Sequence, residues 1–146
     1  MSSKAIDDAI ARGLPPVVLV LGAEALLVDR AREKLQAAAL QGVLAGFNHS
    51  VTRAGDEGAA EAFSVSRTLP MMSPRRVVVL RDVQEGDPAL LESFFKYAEE
   101  PSATTVLIAS GTGWPKPRKG SPDWGRRLEN KVKKMGLVVR FKAQDS

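Results

Sequence analysis

The chain contains no cysteine and a single histidine, His49. A disulfide framework, a thiolate metal site and a cysteine nucleophile are therefore excluded, as is a metal site built from several histidines. No apolar run approaches the roughly 20 residues that a bilayer-spanning helix needs. The opening Met1-Ser2-Ser3-Lys4-Ala5-Ile6-Asp7-Asp8 carries acids and no apolar stretch, so it does not read as a secretory signal. Together these absences point to a cytoplasmic protein with no membrane partner. Charge of one sign is scarce too: 21 Lys+Arg stand against 17 Asp+Glu, a net charge of +4. That mild excess is compatible with work near nucleic acid without identifying a DNA-binding domain. Most of it falls late, in Lys116, Arg118, Lys119, Arg126, Arg127, Lys131, Lys133 and Lys134, while the N-terminal half is close to balance.

A further absence is more specific. The apolar run Val17-Val18-Leu19-Val20-Leu21 leads straight into Gly22, and a helical pattern follows. P-loop NTPases carry G-x-x-x-x-G-K-[ST] in that place, so that backbone amides and a lysine meet the phosphates. Aligning Gly22 to the first glycine puts Leu27 at the second glycine, Val28 at the lysine and Asp29 at the hydroxyl residue. Glu24 and Asp29 would repel phosphate. A second nucleotide element is altered as well. A Walker B strand ends on an acid that serves Mg²⁺, whereas Val77-Val78-Val79-Leu80 is followed by Arg81 and then Asp82. ATP hydrolysis is not expected, and no cofactor or metal site is indicated. The alternative is that Gly22 merely ends a strand in another three-layer α/β fold, with Arg81 and Asp82 a solvated strand end.

At 146 residues the chain is sized for one domain with a real core. Short β-branched runs alternate with longer helical segments. Ser3–Arg12 reads as a helix closed by Gly13, and Pro15-Pro16 leads into the first strand. A second helix is expected from about Ala23 to Gln41, with the stripe Leu27, Ala31, Leu35 and Ala38. Phe47–Thr52 reads as the second strand, Ala59–Arg67 as a helix, and Arg76–Leu80 as a strand buried on both faces. Asp87-Pro88 signals a helix start, with Leu90, Leu91, Phe94, Phe95 and Ala98 on one face. Thr104–Ala109 and Leu137–Phe141 complete five strands. Between them Ser121-Pro122 is expected to cap a last helix bearing Trp124, Leu128, Val132 and Met135. This alternation predicts a five-stranded parallel α/β sheet with helices on both faces. The end at Ala143-Gln144-Asp145-Ser146 reads as a domain boundary.

No Ser-His-Asp or paired-carboxylate pattern stands out, so no catalytic residue is assigned. Leu69-Pro70-Met71-Met72-Ser73-Pro74 is the candidate partner-binding segment. Its prolines fix the backbone, and methionine suits adaptable contact surfaces. The alternative is that both methionines fold under the sheet as core. The basic stretch Lys116-Pro117-Arg118-Lys119 with Arg126-Arg127, flanked by Trp114 and Trp124, has two readings. It meets phosphates or an acidic partner, or it is a solvated loop with Trp124 packed as core.

The order of these pieces resembles the N-terminal domain of the delta subunit of the bacterial DNA polymerase III clamp loader. The resemblance is carried by 16–27 (Gly-x-Glu-x-Leu-Leu after the first strand), by Gly46-Phe47-Asn48, and by Leu69-Pro70-Met71-Met72-Ser73-Pro74-Arg75-Arg76 with the strand Val77–Leu80. Thr105-Val106-Leu107-Ile108 and the terminal strand complete it. It implies an AAA+-like domain that binds no ATP, with strand order 5-1-4-3-2. The implied work is mechanical: to bind the sliding clamp (beta subunit) and help open the ring in DNA replication. The domain would itself be non-catalytic within a DNA polymerase complex. The family's apolar wedge, often Leu-Phe, maps onto Met71 and Met72, with Leu69, Pro70 and Ser73 as neighbouring partner contacts. An aromatic anchor is thus missing from that pair. Residues 1–146 would form the single AAA+-like domain, without the family's lid and collar, through which other clamp-loader subunits are met. Only weak contact with DNA is expected. Two rivals remain at this point: a P-loop NTPase with an atypical nucleotide site, and a generic α/β interaction module.

Overall fold

The computed structural model describes residues 2–142. Five strands form one sheet: β1 (Val17–Gly22), β2 (His49–Arg53), β3 (Arg76–Arg81), β4 (Thr105–Gly111) and β5 (Leu137–Phe141). Their order is β2-β3-β4-β1-β5, which read from the far edge is the expected 5-1-4-3-2. Every neighbouring pair is parallel. Among the described residues α1 (Ser2–Arg12) precedes β1, and five α-helices lie between the strands: α2 (Ala25–Ala39), α3 (Ala45–Asn48), α4 (Glu61–Ser66), α5 (Pro88–Glu99) and α6 (Trp124–Met135).

Side chains alternate across a strand, and here both sides of the central strands are apolar. Val17, Leu19, Leu21, Val78, Leu80 and Leu107 face one layer, where they meet Phe63 of α4, Phe94 and Tyr97 of α5, and Leu128 and Val132 of α6. Val18, Val20, Val77, Val79 and Ile108 face the other, against Ile6 of α1 and Val28, Ala31 and Leu35 of α2. Continuous apolar runs therefore become the two-sided middle of a parallel sheet. Fully burying one such side chain contributes about 1.5–3 kcal/mol. α5 starts as its sequence dictates: Asp87 accepts a hydrogen bond from the Leu90 amide at 2.8 Å, and Pro88 opens the first turn.

Several boundaries differ from the sequence expectation. Phe47 and Asn48 do not begin β2; they belong to α3, where the Phe47 backbone N–H donates to the Leu44 carbonyl at 3.3 Å and the Asn48 side-chain Nδ2 donates to the same carbonyl at 3.0 Å, wrapping the chain into a turn. Pairing with β3 starts only at His49, opposite Val77. The cap of α6 is Asp123, which accepts from the Arg126 amide at 3.1 Å, rather than Ser121-Pro122. α2 is shorter at both ends than 23–41, and residues 59–60 are a turn before α4. On α5 the inward face includes Tyr97, stacked with Phe94 around Phe63, while Phe95 is only half-buried. The expected boundary at 143–146 lies outside the described residues.

The long connection from β4 to α6 is tied down by two contacts. The Trp114 ring packs against Gly125, where an added Cβ would lie 2.4 Å from the indole. The Trp114 Nε1–H donates to Glu129 at 3.0 Å. Arg140 of β5 donates to the same carboxylate at 2.8 and 3.1 Å, so one acid joins loop, helix and edge strand. The Arg140 hydrogen bonds, and then the Trp114 bond, hold the Glu129 carboxyl below its ordinary range. A depressed carboxylate stabilises the fold fully above its unfolded pKa and loses that contribution as pH falls through the folded value. We therefore expect Glu129→Gln to cost about 1–3 kcal/mol at pH 7. Urea denaturation should show the gap to the parent narrowing below about pH 4; a gap constant down to pH 2 would contradict this role.

Candidate partner-binding surface

Parallel strands bring all their N-terminal ends to one edge of the sheet. At that edge α3 leads into β2 and residues 67–75 lead into β3. These two segments are held together by two buried polar side chains. Asn48, fully buried, accepts from the Met71 amide at 2.6 Å and donates to the Met71 carbonyl at 2.9 Å. Arg76, 8% exposed, donates to three backbone carbonyls: Thr68 at 3.1 Å, Phe47 at 3.1 Å and Leu69 at 3.0 Å. Neighbouring Arg75 points the other way and donates to the Ala39 and Gln41 carbonyls, a cation at the C-terminal end of α2. The Ser73 hydroxyl accepts from the Leu44 amide at 3.0 Å.

With the backbone fixed from below, the apolar side chains point outward. Met72 is 88% exposed, Leu69 72%, Phe47 66% and Met71 54%. Leu44 is exposed beside them. Met72 also holds a left-handed backbone with φ of +54°, which costs an unbranched residue about 1 kcal/mol. The exposed apolar area is on the order of 500 Å², the scale at which such a patch marks an interaction site. Of the segment proposed from sequence, Leu69, Met71 and Met72 present side chains to solvent. Pro70 and Ser73 are half-buried, and Ser73 braces the loop. Phe47 of α3 and Leu44, the residue just before that helix, join the surface, and sequence reading did not assign them to it. The clue was the run Gly46-Phe47-Asn48: an aromatic followed by a short amide side chain at the foot of a strand.

The opposite edge of the sheet is where a P-loop would sit. Only Ala23 and Glu24 separate Gly22 from α2, fewer than the four residues between the motif's glycines. Val28, at the lysine position, is buried in the core with Leu35. Asp29, at the hydroxyl position, pairs with Arg81, at the metal position, across 3.7 Å. Gly22 itself has a packing role: a Cβ there would come within 2.9 Å of the Phe141 Cβ on β5. Among the described residues no cluster of metal-ligating side chains occurs, and no helix is long and apolar enough to cross a membrane.

Residues 19–140 match the family model for the DNA polymerase III delta subunit. The chain belongs to that family. Solved structures agree in fold. The Bacillus subtilis DNA clamp loader delta protein superposes with a TM-score of 0.72 at 18% identity, over 97% of this chain and 42% of that one. A Thermotoga maritima DNA polymerase III gamma subunit-related protein gives 0.63 at 14% identity, over 100% of this chain and 47% of that one. A point variant of Thermotoga maritima RuvB gives 0.50 at 18% identity, over 95% and 42%. No individually curated protein matches the chain in sequence. The fold is thus of the AAA+ type, and the chain spans less than half the length of each of these neighbours.

In this delta-family chain the patch depends on its polar underside. Asn48→Ala removes the hydrogen bonds to both backbone groups of Met71 and to the Leu44 carbonyl. We expect a loss of about 1–3 kcal/mol in urea denaturation, with the Met71 amide losing its protection in hydrogen exchange. Unchanged protection at Met71 would show that the loop is held by something else.

Proposed function

We propose that this chain is the AAA+-like domain of a clamp-loader subunit that binds the sliding clamp and favours the open ring. The observation that carries the reading is the outward Met71–Met72 pair on a braced loop, at the positions where the family resemblance puts its apolar wedge. Membership of the delta family and the fold shared with a clamp loader delta protein support it. The work asked of the domain is mechanical and non-catalytic. Other clamp-loader subunits would be met through lid and collar segments outside these residues, and the setting is the cytoplasm. The Asp29–Arg81 pair and the short Gly22–α2 connection weigh against the NTPase reading.

Magnitudes decide which residues must take part. Fully burying one such side chain contributes about 1.5–3 kcal/mol. Two methionines give about 3–6, below the roughly 8 kcal/mol of micromolar affinity. Leu69 and Phe47 are of similar size and narrow that difference. Phe47 also supplies the aromatic anchor that the Met-Met pair lacks, from the neighbouring helix rather than the wedge itself.

Replacing both Met71 and Met72 by Ser should abolish binding to the sliding clamp of the same organism in calorimetry. Stability should stay within about 0.5 kcal/mol, because exposed side chains contribute little to the core. Phe47→Ser alone should weaken binding about tenfold or more, roughly 1.4 kcal/mol. A double variant that stays folded and still binds the clamp places the contact elsewhere. One that unfolds makes the methionines structural.

A further inference from the structure

We propose that the pocket between the starts of α5 and α6 docks an acidic peptide segment of a partner protein, which inserts one apolar side chain. This goes beyond the clamp-binding reading and rests on different residues. Both helices begin beyond the C-terminal ends of the strands, α5 at Pro88 after β3 and α6 at Trp124 after β4. The loop that leaves β4 closes the space between them. The pocket holds about 70 Å³ and is lined by Leu91 and Trp124 together with Pro88, Pro115, Pro117 and Pro122. Four of the chain's nine prolines thus stand round one opening. Proline has a fixed φ and no amide hydrogen, so this wall is stiff and largely apolar.

The wall is also set in advance. Asp87 and Asp123 cap the two helices, accepting from the Leu90 and Arg126 amides. Trp114 pins the loop, with its ring packed on Gly125 and its Nε1–H on Glu129. Trp124 rests against Phe95 at 5.7 Å and carries Arg127 over its ring. A site already in its bound shape loses little ordering entropy when a ligand arrives.

Size and charge select the occupant. Small-molecule and cofactor sites enclose about 300–1,000 Å³. At about 70 Å³ this pocket suits one branched aliphatic side chain rather than a cofactor. The rest of the occupant must then lie across the rim. There Lys116 and Arg118 are exposed and, among the described residues, form no ion pair. Asp123 is the one acid in the lining, and its carboxylate is engaged by the Arg126 amide. An isolated apolar residue flanked by acids satisfies both the floor and the rim. Runs of like charge are disordered when free, so such a segment can follow the opening. A phosphodiester backbone would engage the rim and leave the apolar floor empty. A bilayer is gripped by inserted apolar side chains, and none of the exposed large hydrophobic residues lies between 112 and 142. The pocket is at the opposite end of the strands from the methionine patch, so both partners can be held together.

The test uses the full chain and the fluorescein-labelled pentapeptide Glu-Glu-Leu-Glu-Glu. Anisotropy is read at about 50 mM salt, where surface charges are screened less than at physiological strength. The peptide should bind with a Kd below about 1 mM. Its counterpart with serine in place of leucine should bind at least about tenfold more weakly, the loss of one buried aliphatic side chain. In ¹⁵N spectra the indole N–H signal of Trp124 should shift on titration with unlabelled peptide. Lys116→Gln with Arg118→Gln should weaken binding about threefold or more. Lys4→Gln with Arg12→Gln, equally exposed, should bind like the parent. Melting temperatures check that both variants fold. The proposal is overturned by no binding up to about 1 mM peptide, by equal binding of the leucine and serine peptides, or by equal weakening in both double variants. A Trp124 signal that stays in place while the peptide binds overturns it too. So does a duplex of about 20 base pairs, or a phosphatidylserine vesicle, that moves the Trp124 signal as the peptide does. The first would assign the pocket to nucleic acid, the second to a membrane.

Discussion

Arg76 is the group on which the candidate surface depends. It stands at the first position of β3 with its guanidinium turned down into the edge of the sheet, and it bonds carbonyls from both segments that carry the patch. Burying a cation costs several kcal/mol unless its donors are satisfied. Three backbone acceptors at about hydrogen-bond length answer that cost here, and in return the cation fixes the paths of residues 47 and 68–69. Asn48 performs the complementary task from α3 by holding both polar groups of Met71. A loop restrained in this way keeps Leu69, Met71 and Met72 in water, where an unrestrained apolar segment would collapse onto the nearest helix. The same restraint lowers the ordering entropy that a partner must overcome on binding.

At the opposite edge the substitution of one chemistry for another is equally physical. The strand–glycine–helix frame of a nucleotide-binding fold is retained, because Gly22 is needed for β5 to approach β1. The groups that would meet phosphate and metal are exchanged for an apolar side chain in the core and an acid–base pair, Asp29 with Arg81. Nearby, Arg53 pairs with Asp82 at 2.8 Å, and Asp82 itself adopts a left-handed backbone with φ of +60°. Charges of both signs thus neutralise each other along the top of the sheet. The domain keeps the architecture of an NTPase, and its exposed apolar patch lies at the other end of the strands.

Strand runs such as Val77–Leu80 could be read directly from the sequence, because two-sided burial demands an unbroken apolar stretch and little else forms one. Helix starts with a side-chain acceptor were readable only in part. Asp87-Pro88 gave an unambiguous start, whereas before α6 Ser121, Pro122 and Asp123 all carry capping signals and only the fold selects Asp123. The patch was half visible. Met71 and Met72 announce themselves by sitting between prolines. Phe47 does not, since an aromatic before a β-branched run fits a strand equally well, and only the Asn48 contact to Leu44 turns it into an exposed helical residue. Long-range polar contacts such as Arg76 to Phe47 leave no periodic trace, so the scaffold beneath the patch had no sequence signature. The basic face of α6 was visible as composition and the inward packing of Trp124 as helical spacing, yet the inward commitment of Trp114 was not.

The chain's four methionines allow a direct test of the central claim, that the braced Met71–Met72 loop is the clamp-binding surface. With the methyl groups of methionine ¹³C-labelled, the described ones are Met71 and Met72 on the loop and Met135, half-buried at the far end of α6. Titration with unlabelled sliding clamp should broaden or shift the Met71 and Met72 methyl signals and leave Met135 in place. Clamp binding that moves Met135, or moves none of these three methyl signals, would contradict the assignment of the surface.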